Sequence, residues 1–153
     1  MLPEGTNTEM AAPIRVLILC TGNSARSQMA EGLLRNDGGD RFEVVSAGVN
    51  PSLVRPEAIE AMREIGIDIS SHTSKSAEQF VGHNFDYIIT VCDNAKEACP
   101  FFPGDAERIH RSFEDPPAAG TADKEKTMAI FRRVRDEIRE WFRKEFVPMA
   151  ASH

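Results

Sequence analysis

Apolar residues fall along this chain in short solid runs that alternate with spaced stripes. Arg15–Leu19 is a short, nearly continuous apolar run, the pattern of a strand buried on both faces. From Ser27 to Asn36 the spacing becomes helical, with Met29, Ala30, Leu33 and Leu34 on one side and Gly38-Gly39 closing the helix. Phe42–Ser46 predicts a second strand, ended by Gly48 and Pro51. Pro56 suits the first turn of a helix running through Ile59, Met62 and Ile65 and stopped by Gly66. Ser74 or Ser76 is placed to cap a short helix through Phe80. Phe85–Val91 is the clearest central strand, and it delivers Cys92 at its C-terminal end. Arg108–His110 predicts a fourth, shorter strand. The last long helix spans about Asp123 to Phe146. Met128, Phe131, Val134, Ile138, Trp141 and Phe142 form its apolar face, opposite most of Arg132, Arg133, Arg139 and Arg143. This aromatic stripe reads as core packing.

Strands alternating with helices predict an α/β fold with a parallel sheet and right-handed crossovers. In such sheets ligands bind beyond the carboxyl ends of the strands. Cys20, Cys92 and Asp115 all fall at or just past such ends. Residues 1–12 read as a disordered leader, 13–147 as a single catalytic domain and 148–153 as a tail.

Composition narrows the function. At 153 residues the chain is long enough for one domain with a core that needs no disulfide staples. Its net charge of -6 argues against nucleic acid as the main partner, since phosphate-backbone binding needs a basic surface. A local array of backbone N–H groups still holds a small anion inside an acidic protein. Met1 to Pro13 lacks the basic and apolar segments of a secretory signal, and no run is long enough to cross a bilayer. A reducing, cytoplasmic location is the expectation. Three cysteines fit reactive thiols better than a closed disulfide framework.

The chemistry concentrates in Cys20-Thr21-Gly22-Asn23-Ser24-Ala25-Arg26-Ser27, directly after the first strand. Gly22 permits a tight turn, and small Ser24 and Ala25 let backbone N–H groups converge on one point. The helix that follows aims its N-terminal dipole at the same point. That field favours the Cys20 thiolate, and it also binds the oxyanion that the thiolate attacks. Arg26 adds planar bidentate donors matched to a tetrahedral oxyanion, and Ser27 is placed to donate to the sulfur. Asn23 is expected to fix the loop by hydrogen bonding its own backbone. The substrate-binding set is therefore Thr21, Gly22, Asn23, Ser24, Ala25 and Arg26.

The stretch from Cys20 to Gly32 resembles the motif of the low-molecular-weight tyrosine phosphatase fold and, more closely, the thioredoxin-coupled arsenate reductases that share it. Gln28 carries part of that distinction, because phosphatases of this fold usually have proline there and the reductases glutamine. The resemblance continues through Val45-Ser46-Ala47-Gly48, Pro56 to Thr73, Val91-Cys92 to Cys99-Pro100 and Phe113-Glu114-Asp115-Pro116. It implies a three-layer sandwich with a central four-stranded parallel sheet flanked by helices. Ala25 stands where some members carry an additional cysteine outside the reaction chain, and Pro117 replaces an aromatic residue that lines a phosphotyrosine pocket.

What the resemblance implies chemically is a relay of three thiols. Cys20 attacks arsenate, Cys92 attacks Cys20 and releases arsenite, and Cys99 then attacks Cys92 to carry the disulfide outward. Each transfer is thiolate–disulfide exchange and needs a loop to move. Asp115, within the acid-bearing Asp-Pro pair, implies a general acid. Some reductases of the family hold potassium near the loop. The matching positions are Asn23, Glu31, Ser46 and Asp68, although Glu31 and Asp68 suit solvated helix and turn positions equally. No other cofactor is implied. His72, His83 and His110 lack any pairing that marks a catalytic base.

Two other functions stay open at this point. A low-molecular-weight phosphotyrosine phosphatase would use Cys20, Arg26 and Asp115, with Cys92 and Cys99 only protecting the nucleophile. A non-enzymatic anion-binding or redox-sensing module would leave Arg26, Ser27 and Asp115 unexplained. Zinc is disfavoured, since Cys92 and Cys99 lack Cys-x2-Cys spacing and no histidine pairs with them. The Cys-x6-Cys pair favours thioredoxin as electron donor over glutaredoxin with glutathione, or mycothiol. Phosphate or sulfate would compete with arsenate, and the protein is expected to act as a monomer.

Overall fold

A computed structural model of the protein describes residues 12–92, 104–117 and 123–151. The expected leader, apart from Ala12, lies outside these residues, and so does Cys99.

Strand β1 (Ile14–Cys20) is buried from Val16 onward, because Val16-Leu17-Ile18-Leu19 presents bulky apolar side chains to both faces. β2 (Phe42–Gly48) pairs with one edge of β1, β3 (Tyr87–Thr90) with the other, and β4 (Glu107–His110) borders β3. The order is β2-β1-β3-β4 and every pair is parallel. This is the four-stranded parallel sheet that the strand–helix alternation predicts. All carboxyl ends therefore open on one side, and the chemistry-bearing residues gather there.

Helix α1 (Arg26–Gly38) connects β1 to β2 and buries Met29, Ala30, Leu33 and Leu34. α2 (Pro56–Arg63) and α3 (Lys124–Trp141) pack against α1 and against each other. Gly32 makes the α1 approach close: a Cβ there would meet Ile69 Cγ2 at 2.8 Å and Met62 Cε at 3.0 Å. α3 opens on Asp123, whose side chain accepts from the Lys126 amide. Its stripe of Met128, Phe131, Val134 and Ile138 is buried throughout. Arg135 also lies inward, donating to the Ala61 carbonyl at 2.7 Å and pairing with Glu64 at 3.1 Å.

Two element boundaries differ from the pattern-based reading. The short helix before β3 is a 3₁₀ turn (Ala77–Phe80), and Ser76 rather than Ser74 caps it by accepting from the Glu78 amide. The final helix does not stop near residue 147. After Trp141 it widens into a π turn (Phe142–Phe146) and resumes as α4 (Val147–Ala151). Phe146 lies edge-on to Tyr87 at 5.1 Å, and Ala150 is buried, so core packing carries the helix into the segment expected to be a tail. Among the described residues no helix is long and apolar enough to cross a membrane.

Candidate active site

Between the end of β1 at Cys20 and the start of α1 at Arg26, the chain turns its carbonyls outward. Cys20 O accepts from Val49 N at 3.2 Å, Thr21 O from Asn50 N at 2.8 Å and Gly22 O from Ser52 N at 3.0 Å. Asn23 O accepts from Gln28 Nε2 at 3.1 Å, and Ser24 O from Arg55 N at 2.8 Å. A trans peptide sets its N–H opposite its C=O. The amides of residues 21–25 therefore face the inner side of the turn, over the N-terminus of α1, which makes an anion cradle. Gly48, at the end of β2, completes the fit. A Cβ there would meet Thr21 O at 2.6 Å and Asn23 N at 2.8 Å, so only glycine lets β2 come this close.

Cys20 sits at the base of the cradle, 2% exposed and a free thiol, with Sγ 2.9 Å from Ser27 Oγ. The direction of that contact follows from Asn23. The Lys75 amide donates to Asn23 Oδ1 at 2.8 Å, which leaves the Asn23 amide hydrogens for Ser27 Oγ at 2.8 Å and Ser46 Oγ at 2.9 Å. Ser27 accepts there, so its single hydrogen is available to the Cys20 sulfur. Asn23 thus fixes the loop through other segments rather than through its own backbone, which corrects the expectation from sequence. It does so fully buried, in the left-handed region at φ 48°.

Arg26 is 9% exposed and reaches across to the segment after β4. Its Nη1 donates to Phe113 O at 3.2 Å, and its Nη2 lies 3.3 Å from Asp115 Oδ1. Asp115 is 74% exposed, in reach of the cradle mouth through Arg26. Phe113 N bonds Val91 O at 3.0 Å, so the segment after β4, which carries Asp115, runs beside the end of β3.

Cys92 follows β3. The register sets Leu19 opposite Thr90, so two residues further on Cys92 comes level with Thr21, whose Oγ1 is 3.2 Å from Cys92 Sγ. A second buried sulfur therefore touches the loop that holds the first. The structure brings together Cys20, Thr21, Gly22, Asn23, Ser24, Ala25, Arg26, Ser27, Cys92 and Asp115.

A sequence profile of the low molecular weight phosphotyrosine protein phosphatase family matches residues 15–150. The chain belongs to that family. It is 49% identical to an arsenate reductase of Halalkalibacterium halodurans over 80% of this chain and 88% of that protein. It superposes with a TM-score of 0.68 on an arsenate reductase solved in the phosphate binding state, at 33% identity over 83% of this chain and 92% of that one. A thioredoxin-dependent arsenate reductase of Corynebacterium glutamicum aligns with a TM-score of 0.63 and 30% identity, over 90% of this chain and 64% of that chain.

Several residues of this family member were not singled out from sequence. Gln28 was noted as a mark of resemblance, and its work is mechanical: Nε2 bridges Asn23 O and Thr73 O, and Oε1 meets His72 Nδ1 at 3.0 Å. His72 is thereby a partnered interior histidine, and burial holds its pKa below the ordinary imidazole value against the pull of Glu31. His110 meets Thr90 Oγ1 at 2.7 Å, and His83 stacks on Phe85. Lys75 stands in no motif, and Gly48 enters only as a strand end and as part of the resemblance. Their contributions are a backbone amide and a missing Cβ, which no residue pattern displays.

The potassium set that the resemblance implies does not close into an oxygen cage here. Asn23 turns its amide NH2, a donor, toward Ser46, whose hydroxyl donates on to Glu31 Oε1 at 2.5 Å. Glu31, 3% exposed, already faces Arg35 at 3.0 Å and Lys75 Nζ at 3.9 Å. Asp68 is exposed and accepts from the Ser70 amide in a local turn. The charge of Glu31 is thus met by side chains of the protein itself, and these residues do not fit a bound alkali ion.

Proposed function

We propose that the chain reduces arsenate to arsenite by a Cys20/Cys92/Cys99 relay that thioredoxin regenerates. The observation that carries this reading is the second sulfur, Cys92, held against the same loop that cradles Cys20. Hydrolysis of a phosphate ester needs the cradle, Arg26 and Asp115, but it has no work for Cys92. The arsenate reductase relatives and the thioredoxin-dependent one support the same reading.

Arsenate binds with its oxygens on the inward amides and on Arg26. The Cys20 thiolate, stabilised by the Ser27 hydrogen, forms an S–As bond as an arsenic-bound hydroxyl departs. Asp115 supplies the proton that makes the leaving group water. The Cys92 thiolate then attacks Cys20 Sγ. The S–As electron pair passes to arsenic, As(V) becomes As(III), arsenite leaves, and a Cys20–Cys92 disulfide remains. Cys99 attacks Cys92, releasing Cys20 as thiolate and forming Cys92–Cys99, and two electrons from thioredoxin restore both thiols. Phosphate and sulfate compete for the cradle because they share the tetrahedral oxyanion.

The protein works as a monomer in the reducing cytoplasm, which keeps all three thiols ready between cycles. Cys99→Ser is expected to release about one arsenite per chain and then stop, because thioredoxin cannot reach the buried Cys20–Cys92 bond. Counting arsenite against enzyme with thioredoxin present checks this, and sustained turnover by the variant would refute the role of Cys99.

On this reading the reaction gives an alkali ion no part, because Arg35 and Lys75 already face the Glu31 carboxylate. Exchanging potassium for choline at fixed ionic strength is expected to leave the thermal midpoint unchanged within about 1 °C, since no ligand-linked stabilisation operates. Differential scanning fluorimetry measures this, and a rise specific to potassium would show that an ion does bind.

A further inference from the structure

Arg55 precedes α2, far in sequence from every residue that the mechanism uses, yet it touches both halves of the site. Its amide donates to Ser24 O at 2.8 Å, so its backbone is part of the cradle wall. Its guanidinium crosses to the other half and donates from Nη1 to Pro117 O at 3.0 Å, two residues past Asp115. Nε meets Glu57 Oε1 at 3.2 Å, and the guanidinium carbon lies 5.1 Å from the centre of the Phe131 ring. The side chain is 18% exposed, and burial together with these contacts defines its orientation. Arg55 also helps hold the Glu57 carboxyl: burial pushes that pKa up, but the hydrogen bond from Arg55, the backbone hydrogen bond of Glu57 and the charges of Arg55 and Lys124 together outweigh it and leave the carboxyl below its usual range.

Among the described residues, the segment carrying Asp115 has three other anchors besides the Arg26 Nη2 contact to Asp115 itself. Phe113 N bonds Val91 O, Phe113 O accepts from Arg26, and Glu114 pairs with Arg133 of α3. All three lie before Asp115. Of the contacts described, the one to Pro117 O holds the side after it. Among the described residues, Arg55 Nη2 is also a buried nitrogen with no hydrogen-bond partner. Burying a donor without a partner destabilises the fold, so stability alone gives little reason to bury the group there.

We propose that Arg55 is a positioning residue for the general acid, a strut that sets the distance between the cradle and Asp115. This rests on the reading of Asp115 as the proton donor to the departing oxygen. A carboxyl acting on a leaving group must sit within hydrogen-bond reach of it, and a displacement of about 1 Å costs on the order of 100-fold in rate. Arg26 cannot supply this constraint alone, because it must also serve the bound oxyanion.

The test is a double-mutant cycle on single-turnover arsenite release, with Arg55→Met, Asp115→Asn and the two combined. Asp115→Asn is expected to slow the step about 100-fold. Arg55→Met is expected to lower kcat about 10-fold while changing KM for arsenate less than about 2-fold, since the cradle amides stay in place. The double variant should be no slower than Asp115→Asn within about 2-fold, because the strut has nothing left to position. Independent, multiplying defects would overturn the proposal, as would a wild-type rate in Arg55→Met. If Arg55→Met does not fold, Arg55→Lys decides. Its ammonium keeps a donor for Pro117 O, and a rate restored only when Asp115 is present supports the strut. A lysine variant that folds normally yet is slowed equally with and without Asp115 overturns it. A normal rate in Asp115→Asn itself would instead remove the general acid, and the strut with it.

Discussion

Cys20→Ser is expected to abolish arsenate-dependent oxidation of NADPH in the presence of thioredoxin and its reductase, by at least about 10⁴-fold. A hydroxyl in that position keeps the shape of the site and most of its hydrogen bonds. The Ser27 contact, the inward amides of residues 21–25 and Arg26 all remain. What disappears is a nucleophilic sulfur whose bond to arsenic can break with its electron pair left on the metalloid. Oxygen neither ionises readily here nor accepts attack by Cys92 to make a disulfide. Anion binding should therefore survive while turnover does not. Titrating the variant with phosphate, by fluorescence of Trp141 or by calorimetry, separates the two. Loss of anion binding along with turnover would mean that serine had disturbed the cradle.

The second large effect is expected from Asn23→Ala: a fall in kcat on the order of 100-fold, together with a loss of about 3 kcal/mol in stability. The side chain satisfies three partners from three segments, namely Lys75 N, Ser46 Oγ and Ser27 Oγ. Alanine leaves these buried groups without their bonds and takes up the left-handed φ of 48° less readily than asparagine. The catalytic loss has a specific origin. Without the donation from Asn23, the Ser27 hydroxyl is no longer turned to give its hydrogen to Cys20. Asn23→Asp tests this, because an ionised carboxylate accepts from Lys75 N but donates to neither serine. It should recover stability less than rate analysis alone would suggest, and leave the Cys20 thiol slower toward iodoacetamide at neutral pH. A variant with normal thiol reactivity would uncouple Asn23 from the nucleophile.

How far sequence alone reaches is clearest at individual residues. The buried run of β1 and the stripes of α1 and α3 are periodic, so they were legible, and the parallel sheet followed from their alternation. Cys20 and Arg26 were legible because a nucleophile, a turn and a helix start lie within one short segment. Boundaries set by tertiary packing were not. The helix continues past residue 147 because Phe146 and Ala150 are buried, not because of any local preference there. Asn23 was recognised as a loop organiser, but its partners Ser46 and Lys75 come from distant segments, so its real bonds could not be read. Arg55 and Gly48 contribute through a backbone approach that is visible only when β2 and the segment after it are laid beside the loop. Resemblance carried the Cys92 assignment and the Asp115 assignment, and it carried potassium too. For potassium, the same positions hold a lysine-and-arginine-neutralised carboxylate and a turn aspartate.

The relay itself is best tested by disulfide mapping. Fully reduced protein is given one equivalent of arsenate without thioredoxin, then alkylated, digested and examined by mass spectrometry. The wild-type chain should yield one arsenite and a Cys92–Cys99 disulfide with Cys20 alkylated, and Cys99→Ser should yield Cys20–Cys92. Arsenite released with all three cysteines still alkylated, or with Cys20 joined only to an external thiol, would contradict the relay.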